Sequence, residues 1–341
     1  MVALTHSRGA RLGVLLALSC LGLAAAGCGS SAPSTSSGTK VSGTASIAYA
    51  SSLQYLNDHT AGPAFASSSG YKYSGQGAAS GTLESEIAGG EITPNVFESV
   101  GGDNITPLEP KFTKWYVQYA GTSMVVAYNP SSKYAPQFKA IAEGKKPIKD
   151  LFTLLETPGL KLGRTDPNSD PQGRDFIFML ELAQKAYHLP ADMVTKILGG
   201  PAGSASSPEI YAESSLDSTL QSGQLDAASA FVTQAVELHL DYIPLPVAIN
   251  LGDASLKAQY QTAAVTITPP GRSPTVKNGS PQVIDITIIG KPTAAAIAFV
   301  KYTLSPAGLA QYKQGGFTLI TPTLTGDMTS VPTAIRSELG G

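Results

Sequence analysis

The sequence predicts an α/β fold, on three observations. Short apolar runs suited to strands alternate with segments whose apolar residues recur at helical spacing. Several of the helical segments open on Ser or Asp, residue types that close a helix N-terminus. At 341 residues and 42% hydrophobic content, the chain is long enough for two lobes that each bury a core.

The elements follow in order. Residues 46–50 are a short apolar run, and Ser51 lies three residues before Gln54, the spacing of a capping box at a helix start. Ser80 precedes Thr82-Leu83-Glu84-Ser85-Glu86-Ile87, a second helix with acids near its positive end. Residues 124–128 read as a strand. Residues 160–163 read as a short strand that leads into a polar loop over 165–173. Beyond it Phe176, Met179, Leu180, Ala183 and Tyr187 recur at helical spacing, and Pro190 follows their end. Asp170 then stands at the N-cap of this helix with Pro171 at its first position. Ser214 or Ser215 begins a helix through Leu220 that ends at Gly223. Residues 283–289 make a strand, 293–304 a helix, and 269–281 a Pro/Gly loop. No internal repeat is present.

Composition excludes several function classes. Only 14% of residues are charged and the net charge is −2, with no basic cluster, which argues against a nucleic-acid partner. No apolar run reaches the ~20 residues that span a bilayer. Both cysteines, Cys20 and Cys28, fall in the first 28 residues, so neither a disulfide scaffold nor a Cys-based zinc site serves the rest.

Arg8 and Arg11 followed by 15 apolar residues over 12–26 have the form of an export signal, assigned to residues 1–27. The signal ends in Ala25-Ala26-Gly27-Cys28, which resembles a bacterial lipobox with Cys28 as the lipidated residue. Ordinary cleavage after Ala26 is the competing reading, and cleavage at Cys20 would leave too short an apolar stretch. Residues 28–44 form a tether; 12 of the 16 residues over 29–44 are Ser, Gly or Thr and cannot offset chain entropy by burial. The expected location is extracytoplasmic, lipid-anchored to the cell membrane through multiple acylation, since one chain holds weakly.

Candidate helix starts at Ser52, Ser80, Asp170 and Ser214/Ser215 share one form. Free N–H groups and the positive dipole end at several helix mouths aimed at one spot make an anion site. A short hydroxyl there can donate to the anion; alternatively each side chain merely caps its own helix.

At this point the sequence resembles the molybdate/tungstate-binding proteins of ABC importers, within the extracellular solute-binding proteins. The stretches that carry the resemblance are GRTDPNSDPQG over 163–173 and SGQLDAASAFVTQAVELHLDYIPLPVAINLGD over 222–253. MVVAYNPSSKYA and GFTLITP add weaker support. The resemblance implies a two-lobed periplasmic-binding-protein fold of type II with an oxyanion held in the interlobe cleft. It implies lobe 1 over 45–122 and 264–341, lobe 2 over 123–263, no cofactor, no catalytic residue and a monomer. It also implies a membrane permease driven by a cytoplasmic ATPase as partners. The ligand-binding residues it implies, together with the helix-start pattern, are Ser51, Ser52, Ser80, Asp170, Pro171, Gln172, Gly173, Ser214 and Ser215.

Three departures from the family pattern bear on the ligand. Gln172 stands where Cys is usual, and a Glu that gives the metal a second carboxylate ligand falls on Ala230, beside Phe231 in place of Tyr. An Arg of that site falls on Ala248. At ~4 Å and an effective dielectric of about 20, an ionised Asp170 facing a dianion would cost on the order of 8 kcal/mol. Micromolar binding totals only about 8 kcal/mol. Asp170 must therefore ligate the central metal, stay protonated, or cap its own helix. The cap is the expectation, with the tetrahedral anion held by N–H groups and Ser hydroxyls.

Sulfate, phosphate or an organic acid on the same fold is the alternative ligand, and a surface lipoprotein without transport is a third class. Catalysis is disfavoured. His6 lies in the signal, leaving His59, His188 and His239, and no nucleophile-elbow, zinc-protease or P-loop motif occurs.

Overall fold

The computed structural model describes residues 41–204 and 209–339. The signal, Cys28 and all of the tether before Val41 lie outside the described residues. Strands over the described residues are β1 (Thr44–Ala50), β2 (Lys72–Ala78), β3 (Val96–Val100), β4 (Trp115–Gly121), β5 (Met124–Tyr128) and β6 (Leu162–Gly163). They continue with β7 (Ala227–Phe231), β8 (Asp241–Pro244), β9 (Ala264–Ile267), β10 (Thr275–Asn278), β11 (Val283–Ile288) and β12 (Thr318–Gly326). Thr44, expected to end the tether, opens β1.

Two main sheets result. One has six strands in the order β12-β4-β11-β3-β1-β2, with β1 parallel to β2 and β3 and the remaining pairs antiparallel. Its central strands β1 and β3 are buried on both faces, as strands covered by helices on either side must be. The other has four strands in the order β6-β7-β5-β8. Its β7 is the small-residue run Ala-Ala-Ser-Ala-Phe, fully buried, against which the helix Pro171–Tyr187 packs closely. That helix carries Phe176, Ile177, Met179 and Leu180 at 0% exposure; burying each is worth roughly 1.5–3 kcal/mol.

The chain passes between the sheets twice. Residues 122–123 link β4 to β5, and 279–282 return the chain to β11. The two passages are bonded to each other, Thr122 N–H to the Gln282 carbonyl at 3.0 Å. The expected return to the first lobe at 264 falls at the start of an antiparallel β9–β10 ribbon. This ribbon is tied to the Pro171–Tyr187 helix, since Ala264 N–H bonds Glu181 Oε2 at 2.9 Å. The chain rejoins the six-stranded sheet only at Val283.

Two local expectations are corrected. Ser51 does not cap a regular helix. Ser51–Leu53 is a single 3-10 turn with no side-chain cap, and the chain widens over Asn57–Ala61 before Gly62–Ser69. Pro63 has no N–H to return to the His59 carbonyl, which accounts for the widening. The expected Pro/Gly loop over 269–281 contains β10, because β-branched Thr275 and Val276 pair with β9.

Candidate functional site

Three helix starts border one cavity of about 410 Å³. Ala79 and Thr82 come from the start of helix Ser80–Gly89, Asp170 from the N-cap of Pro171–Tyr187, and Ala212, Glu213 and Ser214 from the start of Glu213–Gln221. Ser51, directly after β1, and Gly77 and Ala78 at the end of β2 complete that side. First-turn N–H groups have no acceptor within their own helix, so the cavity lies at the positive ends of three helices. No Lys, Arg or His lines it.

Asp170 is a cap in the structure. Its Oδ1 accepts from Gln172 N–H at 2.9 Å, and burial pushes its carboxyl up to about 6, against that hydrogen bond and the nearby Arg174. Arg174, on the next turn, is itself buried and donates to Asn104 Oδ1 at 3.4 Å. Two glycines set how closely the pieces approach. A Cβ on Gly173 would sit 2.4 Å from the Thr165 carbonyl oxygen, so only Gly lets the loop fold over the helix start. Gly81 N–H bonds the Ser169 carbonyl at 3.1 Å, and a Cβ there would lie 2.5 Å from that oxygen. This contact joins a helix of the six-stranded sheet to the loop of the four-stranded one.

A second cavity of about 280 Å³ shares Ser51, Glu213 and Ser214 with the first. Ser52, Tyr55, His59, Asp217, Gln234 and Glu237 also line it, and again no Lys or Arg does. Its acids are shifted upward by burial: Asp217 to about 7, Glu237 to about 8, and Glu213 well above the usual carboxylate range, where Asp170 and Asp217 add repulsion. Among the described residues no His/Cys/Asp/Glu group is arranged to hold a metal ion.

The residues named from sequence separate into two sets. Ser51, Asp170 and Ser214 line the first cavity, and Ser52 lines the second. Ser80 stands in the first turn beside the cavity, but its hydroxyl is buried and accepts from Val100 N–H at 3.2 Å. Pro171 and Gly173 are buried behind Asp170. Two more of the named residues lie outside the lining of both cavities. The Ser215 hydroxyl turns back to the Ala212 carbonyl at 2.9 Å on the exposed helix face, because the helix begins at Glu213. Gln172 is fully buried and faces inward: its Nε2 donates to Gln234 Oε1 at 2.6 Å and Glu213 Oε1 at 3.2 Å, and its Oε1 accepts from Ser229 Oγ at 3.0 Å.

Ala230 packs among Val125, Leu216, Leu220 and Leu225, so no carboxylate reaches the site from β7. Ala248 lines neither cavity. Sequence reading missed Glu213, Asp217 and Glu237. An acid at the first position of a helix, as Glu213 is, was the one local signal that could have found any of them.

Comparison with known proteins bears on family and fold. A family profile described as bacterial extracellular solute-binding protein matches residues 45–318. An uncharacterized solute-binding protein of Petrotoga mobilis is 27% identical over 71% of this chain and 74% of its own length. The molybdate/tungstate-binding protein WtpA of Pyrococcus abyssi is 27% identical, over 63% of this chain and 65% of its own. A putative ABC transporter molybdenum-binding protein of Haloferax volcanii is 32% identical over 46% of this chain and 47% of its own. Among solved structures, the periplasmic molybdate-binding protein of Azotobacter vinelandii superposes with TM-score 0.50 at 16% identity, covering 80% of this chain and 98% of that one, a likeness of fold. The fold is the two-lobed type II periplasmic-binding-protein architecture. The chain belongs to the bacterial extracellular solute-binding protein family.

Proposed function

We propose that this protein is the substrate-binding component of an ABC importer that captures a tetrahedral oxyanion, molybdate or tungstate, between its two lobes. The observation that carries the reading is the convergence of three helix starts, with Ser51 and Ser214, on one cavity without a lysine or arginine. Such a site recognises an anion by N–H groups and hydroxyls rather than by a counter-charge. Ser51, Ser52, Ser80, Asp170 and Ser214 bound or support it, with Asp170 ordering the 171–187 helix start as its cap. Ala230 and Ala248 favour four-coordinate recognition over added carboxylate ligation.

The lobes are 45–122 with the strands from 283 onward, and the intervening residues. Anion bound at helix starts from both lobes favours the closed arrangement by its differential affinity for it. A single closed molecule, held at the membrane by lipid on Cys28, would then dock on a permease driven by a cytoplasmic ATPase. The second cavity joined to the first favours one other reading, a small organic acid whose carboxylate occupies the helix starts. Calorimetric titration with molybdate, tungstate, sulfate, phosphate and short organic acids tests the choice. Tight binding of the first two with rejection of the rest supports the main reading. Binding of an organic acid alone replaces it.

A further inference from the structure

Glu213 stands at the junction of the two cavities and lines both. It opens the helix Glu213–Gln221 and is 5% exposed. Gln172 Nε2 donates to its Oε1 at 3.2 Å, and Ser51 stands beside it in the lining of both cavities. Neither neighbour neutralises a negative charge. Facing it are Asp217 one turn along its own helix, Asp170 from the neighbouring helix start, Asp166 from the loop, Glu237 with Gln234 from helix Val232–Glu237, and His59 across the second cavity. No guanidinium lines either cavity; Arg174 is bonded to Asn104 and acts on Asp170.

Deepening the oxyanion reading, on which it rests, we propose that Glu213 is a specificity-determining residue that meets the anion as a neutral acid and donates a hydrogen bond to one of its oxygens. A fully deprotonated anion such as molybdate, tungstate or sulfate offers only acceptors, so every group it meets must donate. An ionised Glu213 would instead face it with two acceptor oxygens and a like charge in a partly desolvated cavity. Burial, with Asp170 and Asp217 close by, raises the Glu213 carboxyl well above the usual carboxylate range and so favours the proton-bearing form. An anion that carries its own proton, such as monohydrogen phosphate, can bond to Glu213 in either state. The protonation of one side chain therefore sets which oxyanions the cleft prefers and ties capture to pH.

Proton-linked calorimetry on the full chain and on E213Q, with molybdate and inorganic phosphate as probes between pH 5.5 and 9, tests this. In the wild type, molybdate affinity falls about tenfold per pH unit above the carboxyl's midpoint. Binding there takes up close to one proton, read from buffers of different ionisation enthalpy, and phosphate loses less. E213Q keeps the donor but not the charge, so the steep limb and the proton uptake shrink to what Asp170, Asp217 and Glu237 contribute. Parallel profiles in the two proteins, or no proton uptake by the wild type, overturn the proposal while leaving the oxyanion reading in place. Should E213Q fail to fold, D217N and E237Q decide: with Glu213 intact, both must keep the steep limb and the proton uptake, and their loss in either overturns the proposal. Failure of the wild type to bind any oxyanion at pH 6 overturns both.

Discussion

Gly81→Ala tests whether the two halves of the cleft must meet at the Ser169 carbonyl. A Cβ at position 81 lies 2.5 Å from that oxygen, whereas ordinary contact begins at about 3.4 Å, so the helix and loop must separate by ~1 Å. The obstructing atom is backbone and cannot swing aside. Separation removes the Gly81 N–H bond to Ser169, worth ~1 kcal/mol, and forcing the contact costs ~1–3 kcal/mol more. The penalty of ~2–4 kcal/mol falls on the closed arrangement, which the ligand needs, and not on the helix itself. Affinity should drop about 30- to 1,000-fold, at ~1.4 kcal/mol per decade. Calorimetry measures the affinity, and urea unfolding of the ligand-free protein checks that stability changes by less than ~1 kcal/mol. Affinity within threefold of wild type would refute the reasoning.

Further expected outcomes concern the groups behind the site. Gln172→Ala removes three buried hydrogen bonds and leaves the Ser229 hydroxyl without its acceptor, while Gln234 Oε1 keeps Phe231 N–H, and should cost ~3–5 kcal/mol by urea unfolding; a cost below ~1 kcal/mol would deny the network its role. Asp170→Ala removes the cap of the 171–187 helix and should cost ~1 kcal/mol of stability, with a larger effect on anion affinity than on unfolding. Glu237 is 9% exposed and its folded pKa, about 8, lies above the unfolded value, so the folded state holds the extra proton and wild-type stability falls as pH rises from about 4.5 through 8. Glu237→Gln should therefore unfold at higher urea than wild type at pH 8.5 and show little difference at pH 5; an equal gap at both pH values contradicts the linkage.

Much of the fold was legible because its signals are local. β5 runs Met124–Tyr128 as its apolar pattern predicts, and Asp170-Pro171 opens the longest helix because cap and fixed φ act within four residues. Thr293 likewise caps Ala294–Leu304 through Ala296 N–H at 3.1 Å. The failures lie where tertiary partners decide. Ser51 carried a capping pattern, yet it opens a 3-10 turn with no side-chain cap and lines the cavity. Gln172 looked like a ligand residue, but its partners are 41, 57 and 62 positions away. The acids of the second cavity, Asp217 and Glu237, meet His59 only in the folded protein. Glu213 was hidden by placing the helix start at Ser214 or Ser215, one or two residues late.

The most direct test of the central claim is a crystal structure of the protein with tungstate, located by the anomalous signal of the metal. The account predicts the tungsten in the cavity bounded by Ser51, Ala79, Asp170 and Glu213–Ser214, with four oxygens around it and the Asp170 carboxylate still on Gln172 N–H. Tungsten elsewhere on the molecule, or an Asp170 oxygen at bonding distance from it, would contradict the account.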